Sequence, residues 1–198
     1  MSFFQLLTNA YVPYSQKNIR DNFNFSFINS AYNACHPIVA KTVDKSTLLK
    51  KQASLEIMLF LLAIGFKKLA VLKGKTESEI IPAIASLSVG LATCTKEDVY
   101  TFIENHSEPV DNYFLKRILR YMDLLNEPDL SSQLIMMVLF LERPLSPFWK
   151  DQGNYGLELM TNITKSKIYN NLSLMQQIQP LIADAVIEMR KSVDNMYR

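Results

Sequence analysis

Two kinds of hydrophobic spacing divide the chain near residue 45. Phe23, Phe25 and Phe27 alternate with Asn22, Asn24 and Ser26. That period of two predicts an extended segment inside an aromatic N-terminal arm, residues 1–45. A lone strand is not stable in water, so the arm is expected to lie along the body, to pair with a second strand or to dock on another chain.

From Ser46 onward the apolar positions recur at helical spacing, and the reading is a single helical domain over 46–198. A first helix runs from about Ser46 to Lys73 and contains the longest apolar run, Ile57 to Phe66, with Gly65 marking a kink or a close helix–helix contact. Gly74 stands where a left-handed C′ glycine stops a helix. Thr76 and Glu79 have capping-box spacing and open the next helix, to about Leu91, with Pro82 delaying its regular part to near Ile81. Thr95-Lys96-Glu97-Asp98 reads as another start, followed by Val99, Phe102, Ile103 and His106. Pro109 to Asn126 carries the stripe Val110, Phe114, Ile118, Tyr121 and Leu125, with Lys116, Arg117 and Arg120 opposite or flanking. Helices are also expected over 130–142 and 157–172. A last one starts near Pro180, where Ile182, Val186, Met189, Val193 and Met196 step by four, three, four and three. That is a two-heptad seam, enough for bundle packing. The predicted fold is all-α, a bundle of about six to eight helices preceded by the arm.

Composition narrows this further. Five glycines in 198 residues is about 2.5%, against a usual share of roughly 7%. Sandwiches, barrels and nucleotide-binding α/β folds need glycine at turns and phosphate loops, so all are disfavoured. The 48% hydrophobic content is that of a globular protein. Ile57 to Phe66 is bracketed by Lys50-Lys51 and Lys67-Lys68. The fifteen residues between those pairs span about 22 Å as a helix, short of a bilayer core, so the segment reads as a buried central helix.

The net charge of +2 is unevenly spread: +1 over 1–40, +6 over 41–75, −7 over 76–142 and +2 over 143–198. Lys50, Lys51, Lys67, Lys68, Lys73 and Lys75 form a candidate basic patch, either a solvated face or a docking face for a charged partner. Cys35 and Cys94 are the only cysteines and are expected to be reduced. Residues 1–7 lack the pattern of a signal peptide. The expected location is therefore the cytoplasm, or a host cell reached without a classical signal. The sequons at Asn24, Asn105, Asn162 and Asn171 are then not expected to be glycosylated.

Candidate chemistry is sparse. Cys35, His36, Cys94 and His106 complete the Cys/His inventory, and their spacing matches no common zinc site. Adjacent residues such as Cys35 and His36 rarely point toward each other, so a thiol with its base is not expected there. Gly74-Lys75-Thr76 resembles the end of a phosphate loop, but the first glycine of that motif would fall on Leu69 and the preceding segment is helical. No catalytic residue, metal or cofactor is expected.

Binding remains. Phe148, Trp149 and Tyr155 lie in a Pro/Gly-containing stretch, Arg143 to Gly156, and are candidate partner-binding residues together with Phe23, Phe25 and Phe27. The expectation is a non-enzymatic protein–protein interaction module: an adaptor, a chaperone-like subunit of a larger assembly, or a binding-type effector. The alternative is nucleic-acid binding, with Lys41 to Lys75 following a phosphate backbone and Phe23, Phe25 and Phe27 stacking on bases. In outline, an aromatic arm ahead of a helical body resembles viral nucleocapsid proteins that polymerise by arm exchange.

Overall fold

A computed structural model describes residues 19–42, 47–100, 109–126 and 172–196. These form five helices and, among the described residues, no strand: α1 (Ile19–Thr42), α2 (Thr47–Lys73), α3 (Glu77–Tyr100), α4 (Val110–Leu124) and α5 (Leu172–Met196). The helices expected within 130–142 and 157–171 lie outside the described residues.

The centre is α2. Every residue from Leu55 to Phe66 is buried, which is what a helix apolar on all sides requires. It touches all four other helices, with α1 and α5 packed closely together on it and α3 and α4 forming a second close pair. Phe27 of α1 meets Phe66 of α2 edge to face at 4.9 Å, and Phe60 of α2 meets Tyr121 of α4 at 5.5 Å. One aromatic contact thus serves each pair.

Gly65 is the point of closest approach. A Cβ built on it would stand 2.5 Å from Phe27 Cζ and 2.6 Å from Met189 Cε. The absent side chain is what lets α1 and α5 both reach the α2 backbone. Of the two readings of this glycine, the close contact is the one realised.

The turn between α2 and α3 forms as its residues dictate. Gly74 has φ of +60°, the left-handed conformation that ends α2. Lys75 N–H donates to the Ala70 carbonyl at 2.9 Å, and Gly74 N–H to that of Val71 at 3.1 Å. Half of the capping box is present: Glu79 accepts from the Thr76 backbone N–H and from the Thr76 hydroxyl, each at 2.8 Å. These bonds hold the Glu79 carboxyl below the ordinary range, and the positive charge of Lys75 adds to them.

Four expectations are corrected. Asp21 to Ile28 is helical, not extended. The alternation covers only three aromatics, whereas Phe27, Ala31, Ala34, Cys35 and Ile38, all buried, form a longer stripe at helical spacing. Pro37 sits inside α1 on its exposed side, where the carbonyl of exposed Asn33 that it leaves unserved can reach water.

The start near Thr95 does not begin a new helix, because α3 runs unbroken from Glu77 through Tyr100. Capping residues permit a start without imposing one. Thr93 shows how such residues are carried inside a helix: its hydroxyl donates to the Val89 carbonyl at 2.9 Å. Pro82 likewise does not delay α3. Its missing N–H falls opposite Ser78, on the exposed side of the second turn.

Finally, α5 begins at Leu172, eight residues before Pro180. Pro180 is tolerated because it and Gln176 are both exposed. The seam itself forms as expected, with Ile182, Val186, Met189 and Val193 buried and Met196 packed against the core.

Candidate functional site

One feature of the interior combines charge with burial. Glu56 is the sole charged residue between Lys51 and Lys67, and it stands directly before the apolar run, within the buried stretch that begins at Leu55. Arg117 lies on α4 one residue before Ile118 of the buried stripe, close enough in angle to point inward. The two meet: Arg117 Nε donates to Glu56 Oε1 at 2.5 Å, with Glu56 0% and Arg117 5% exposed. The guanidinium also stands over the Tyr121 ring, 5.5 Å from its centroid. Glu56 Oε2 accepts no hydrogen bond among the described residues.

Burial raises the Glu56 carboxyl above its ordinary value, and the charge and hydrogen bond of Arg117 oppose that rise without cancelling it. Arg117, expected opposite or flanking the apolar stripe, is therefore part of the core. The cue for the pair was in the sequence: a single carboxylate in an otherwise apolar run has to find a cation.

The two shifted carboxyls give opposite pH dependences. Folded Glu56 holds its proton to higher pH than the unfolded chain does. Its contribution is thus fully present below the unfolded carboxylate range and is lost as pH rises through the raised value. Glu79, shifted down, contributes above the ordinary range and loses that contribution as pH falls through its lowered value. Compared with Glu56→Gln, the wild-type protein should gain stability as pH falls from neutrality toward the ordinary carboxylate range. Compared with Glu79→Gln it should lose stability as pH falls further. Urea unfolding at a series of pH values reads both, and a Glu56→Gln difference that does not change with pH would refute the first.

The basic patch is partly neutralised. Lys67 pairs with Glu77 at 2.6 Å and donates to Asn126, while Lys68 pairs with Asp194 at 3.1 Å. Asn126 also donates to Glu77 at 3.4 Å. This cluster fastens the end of α2 to the starts and ends of its neighbours α3 and α4. Lys73 and Lys75 are exposed. Lys50 and Lys51 lie on the first turns of α2, with side chains outside the described residues.

Of the aromatic candidates, Phe27 is fully buried and belongs to the core rather than to a surface. Phe23 and Phe25 lie on α1, with side chains outside the described residues. Phe148, Trp149 and Tyr155, like His106, lie outside them altogether.

Cys35 is a free, buried thiol, and burial pushes it up to about 12, far from the thiolate a nucleophile needs. His36 is exposed on the other side of α1, beside Tyr32 with ring centroids 6.2 Å apart. Adjacency in sequence thus separates the thiol and the imidazole. Among the described residues no group of three or more Cys, His, Asp or Glu could hold a metal ion. Among the described residues no helix is long and apolar enough to cross a membrane.

Of the exposed large aliphatic residues described, which the sequence reading did not single out, four lie on α2 and α3 and one, Ile187, on α5. Val71 is 77% and Leu72 42% exposed at the end of α2, and on the outward side of α3 Ile81 and Val89 are 38% and 53% exposed. Ala85, partly exposed, lies between them one helical turn from each. Val71 and Leu72 lie just before the Gly74 turn, and Ile81 and Val89 follow it on α3.

The described residues are all helical or in the turns between helices, and they are built around one buried helix. No protein-family model matches it, no curated protein matches it in sequence, and no solved structure matches it in fold.

Proposed function

We propose that the protein works as a non-enzymatic interaction module, an adaptor, chaperone-like subunit or binding-type effector, in the cytoplasm or inside a host cell. The observation that supports this most is the aliphatic edge of α2 and α3. Val71, Leu72, Ile81 and Val89 leave apolar area in water on the two helices that flank a turn held by a glycine and a cap, and exposed apolar area of that kind suits an apolar partner surface. The nucleic-acid reading has less support, because Lys67 and Lys68 are engaged with carboxylates of the same chain. The full complement of six to eight helices, with Trp149 and its neighbours as a second contact, belongs to this proposal.

Photo-crosslinking residues placed at Val71 and at Val89 test it in native cells. The expected result is one protein adduct common to both positions, abolished by Val89→Asp in a chain whose thermal unfolding is unchanged. Adducts formed only within the chain, or with RNA, would overturn the reading.

A further inference from the structure

All three buried polar or charged side chains among the described residues, Glu56, Ser88 and Arg117, lie on α2, α3 and α4. Both buried side-chain atoms that lack a hydrogen-bond partner there, Glu56 Oε2 and Ser88 Oγ, belong to the same three helices. Where α1, α2 and α5 meet, around Phe27, Gly65 and Met189, the described contacts are apolar.

The contacts between helices divide along the same line. Each of the pairs α1–α5 and α3–α4 packs closely within itself. The first is joined to α2 extensively by both members, whereas α3 meets α2 at few positions and α4 carries most of the attachment. The Glu56–Arg117 pair stands in that attachment.

We propose that Glu56–Arg117 is a built-in release point, and that the α3–α4 pair separates from α1–α2–α5 as a unit in a sub-global opening that precedes unfolding. The physics is a comparison of two planes. Parting α2 from α1 and α5 exposes apolar surface and frees only the half-exposed Lys68–Asp194 pair, whose ions are already partly hydrated. Parting α2 from α4 exposes apolar surface too and breaks the partly exposed Lys67–Glu77 and Lys67–Asn126 contacts, worth little in water. But it also returns two desolvated ions to water, and burial of such ions is costly even when they are paired. It hydrates the orphaned Glu56 Oε2 as well. The second plane therefore opens at lower free energy, and such openings involve contiguous cooperative units. This conformational device is independent of what the protein binds.

Native-state hydrogen exchange of the full chain under mild denaturant tests it. In the wild type, the buried amides of Ile84, Leu87, Phe114 and Ile118 should share one opening, with protection at least about tenfold lower than that of Ile64 and Met189. In Glu56→Leu/Arg117→Met, which removes both ions, that gap should close. Equal protection in the two groups of the wild type would overturn the proposal, and so would a gap that persists in the double variant. If the double variant does not fold, Glu56→Gln serves the same purpose. It must narrow the gap, since the closed structure favours the neutral form at position 56, and a gap left unchanged or widened refutes the release point.

Discussion

Arg117→Met lowers the unfolding free energy by about 3–5 kcal/mol, and adding Glu56→Leu restores most or all of it. The single substitution leaves the buried Glu56 carboxyl with no cation, so it must carry an uncompensated charge or take up a proton, and removal of one member of a buried pair is destabilising on that scale. Methionine keeps much of the arginine stem's volume against Tyr121, so the loss is chiefly of charge rather than of packing. The cation–π contact with that ring adds about 0.5–1 kcal/mol to the deficit. In the double variant both ions are gone, and an apolar pair of similar volume is commonly neutral or stabilising at such a site. Urea midpoints of the four chains give the coupling energy directly. A cost for Arg117→Met below about 1 kcal/mol would mean the pair is effectively hydrated, contrary to its burial.

Gly65→Leu should be nearly as damaging, about 3 kcal/mol or more, because a branched side chain cannot enter where a Cβ alone stands 2.5 Å from the Phe27 ring. Gly65→Ala is the more instructive change. Alanine gains about 1 kcal/mol of helix propensity over glycine, against an overpacking cost of about 1–3 kcal/mol. The clash falls on an aromatic ring edge and on the end of a flexible methionine. The ring resists and Met189 yields, so a net loss is expected. Combining Gly65→Ala with Phe27→Leu should cost less than the sum of the two singles, since the ring that opposes the methyl is gone. If Gly65→Ala stabilised the protein by its full propensity gain, the close approach of α1 and α5 to α2 would be refuted. Thermal and urea unfolding of the four chains measure these differences.

The elements that sequence reading placed well share a cause. The start and end of α2, the Gly74 stop, the α4 stripe and the α5 seam were each marked by a residue with one conformational use or by apolar spacing sustained over three or more turns. What it misplaced was decided by tertiary burial. The alternation of Phe23, Phe25 and Phe27 fits a strand, and the same Phe27 fits a helical stripe through Ile38. Only the α2 surface, with Gly65 waiting to admit a ring, chooses between them. Thr95 to Asp98 and Pro180 are permissive signals, and neighbours determine whether a helix continues through them.

The candidate site was legible in part. Cys35 and His36 were expected to point apart, and they do. The Glu56–Arg117 pair could have been suspected from a lone carboxylate in an apolar run. Its partner could not, because Arg117 has Lys116 and Arg120 beside it and only the packing of α4 on α2 selects one of the three. The aliphatic edge is a property of the folded surface alone. Valine and isoleucine in a helix read as core until the packing leaves them outside.

The enclosure of α2 by four neighbours also bears on how the chain is made. A ribosome adds about 5–20 residues per second. α2 therefore emerges with α1 beside it, and α3 and α4 follow within seconds. The α5 segment leaves last, about ten seconds after Lys73. Until then the side of α2 around Gly65 has lost its Met189 cover, and Phe27 has one wall instead of two. For that interval the most apolar of the described helices is an unfinished core on a nascent chain.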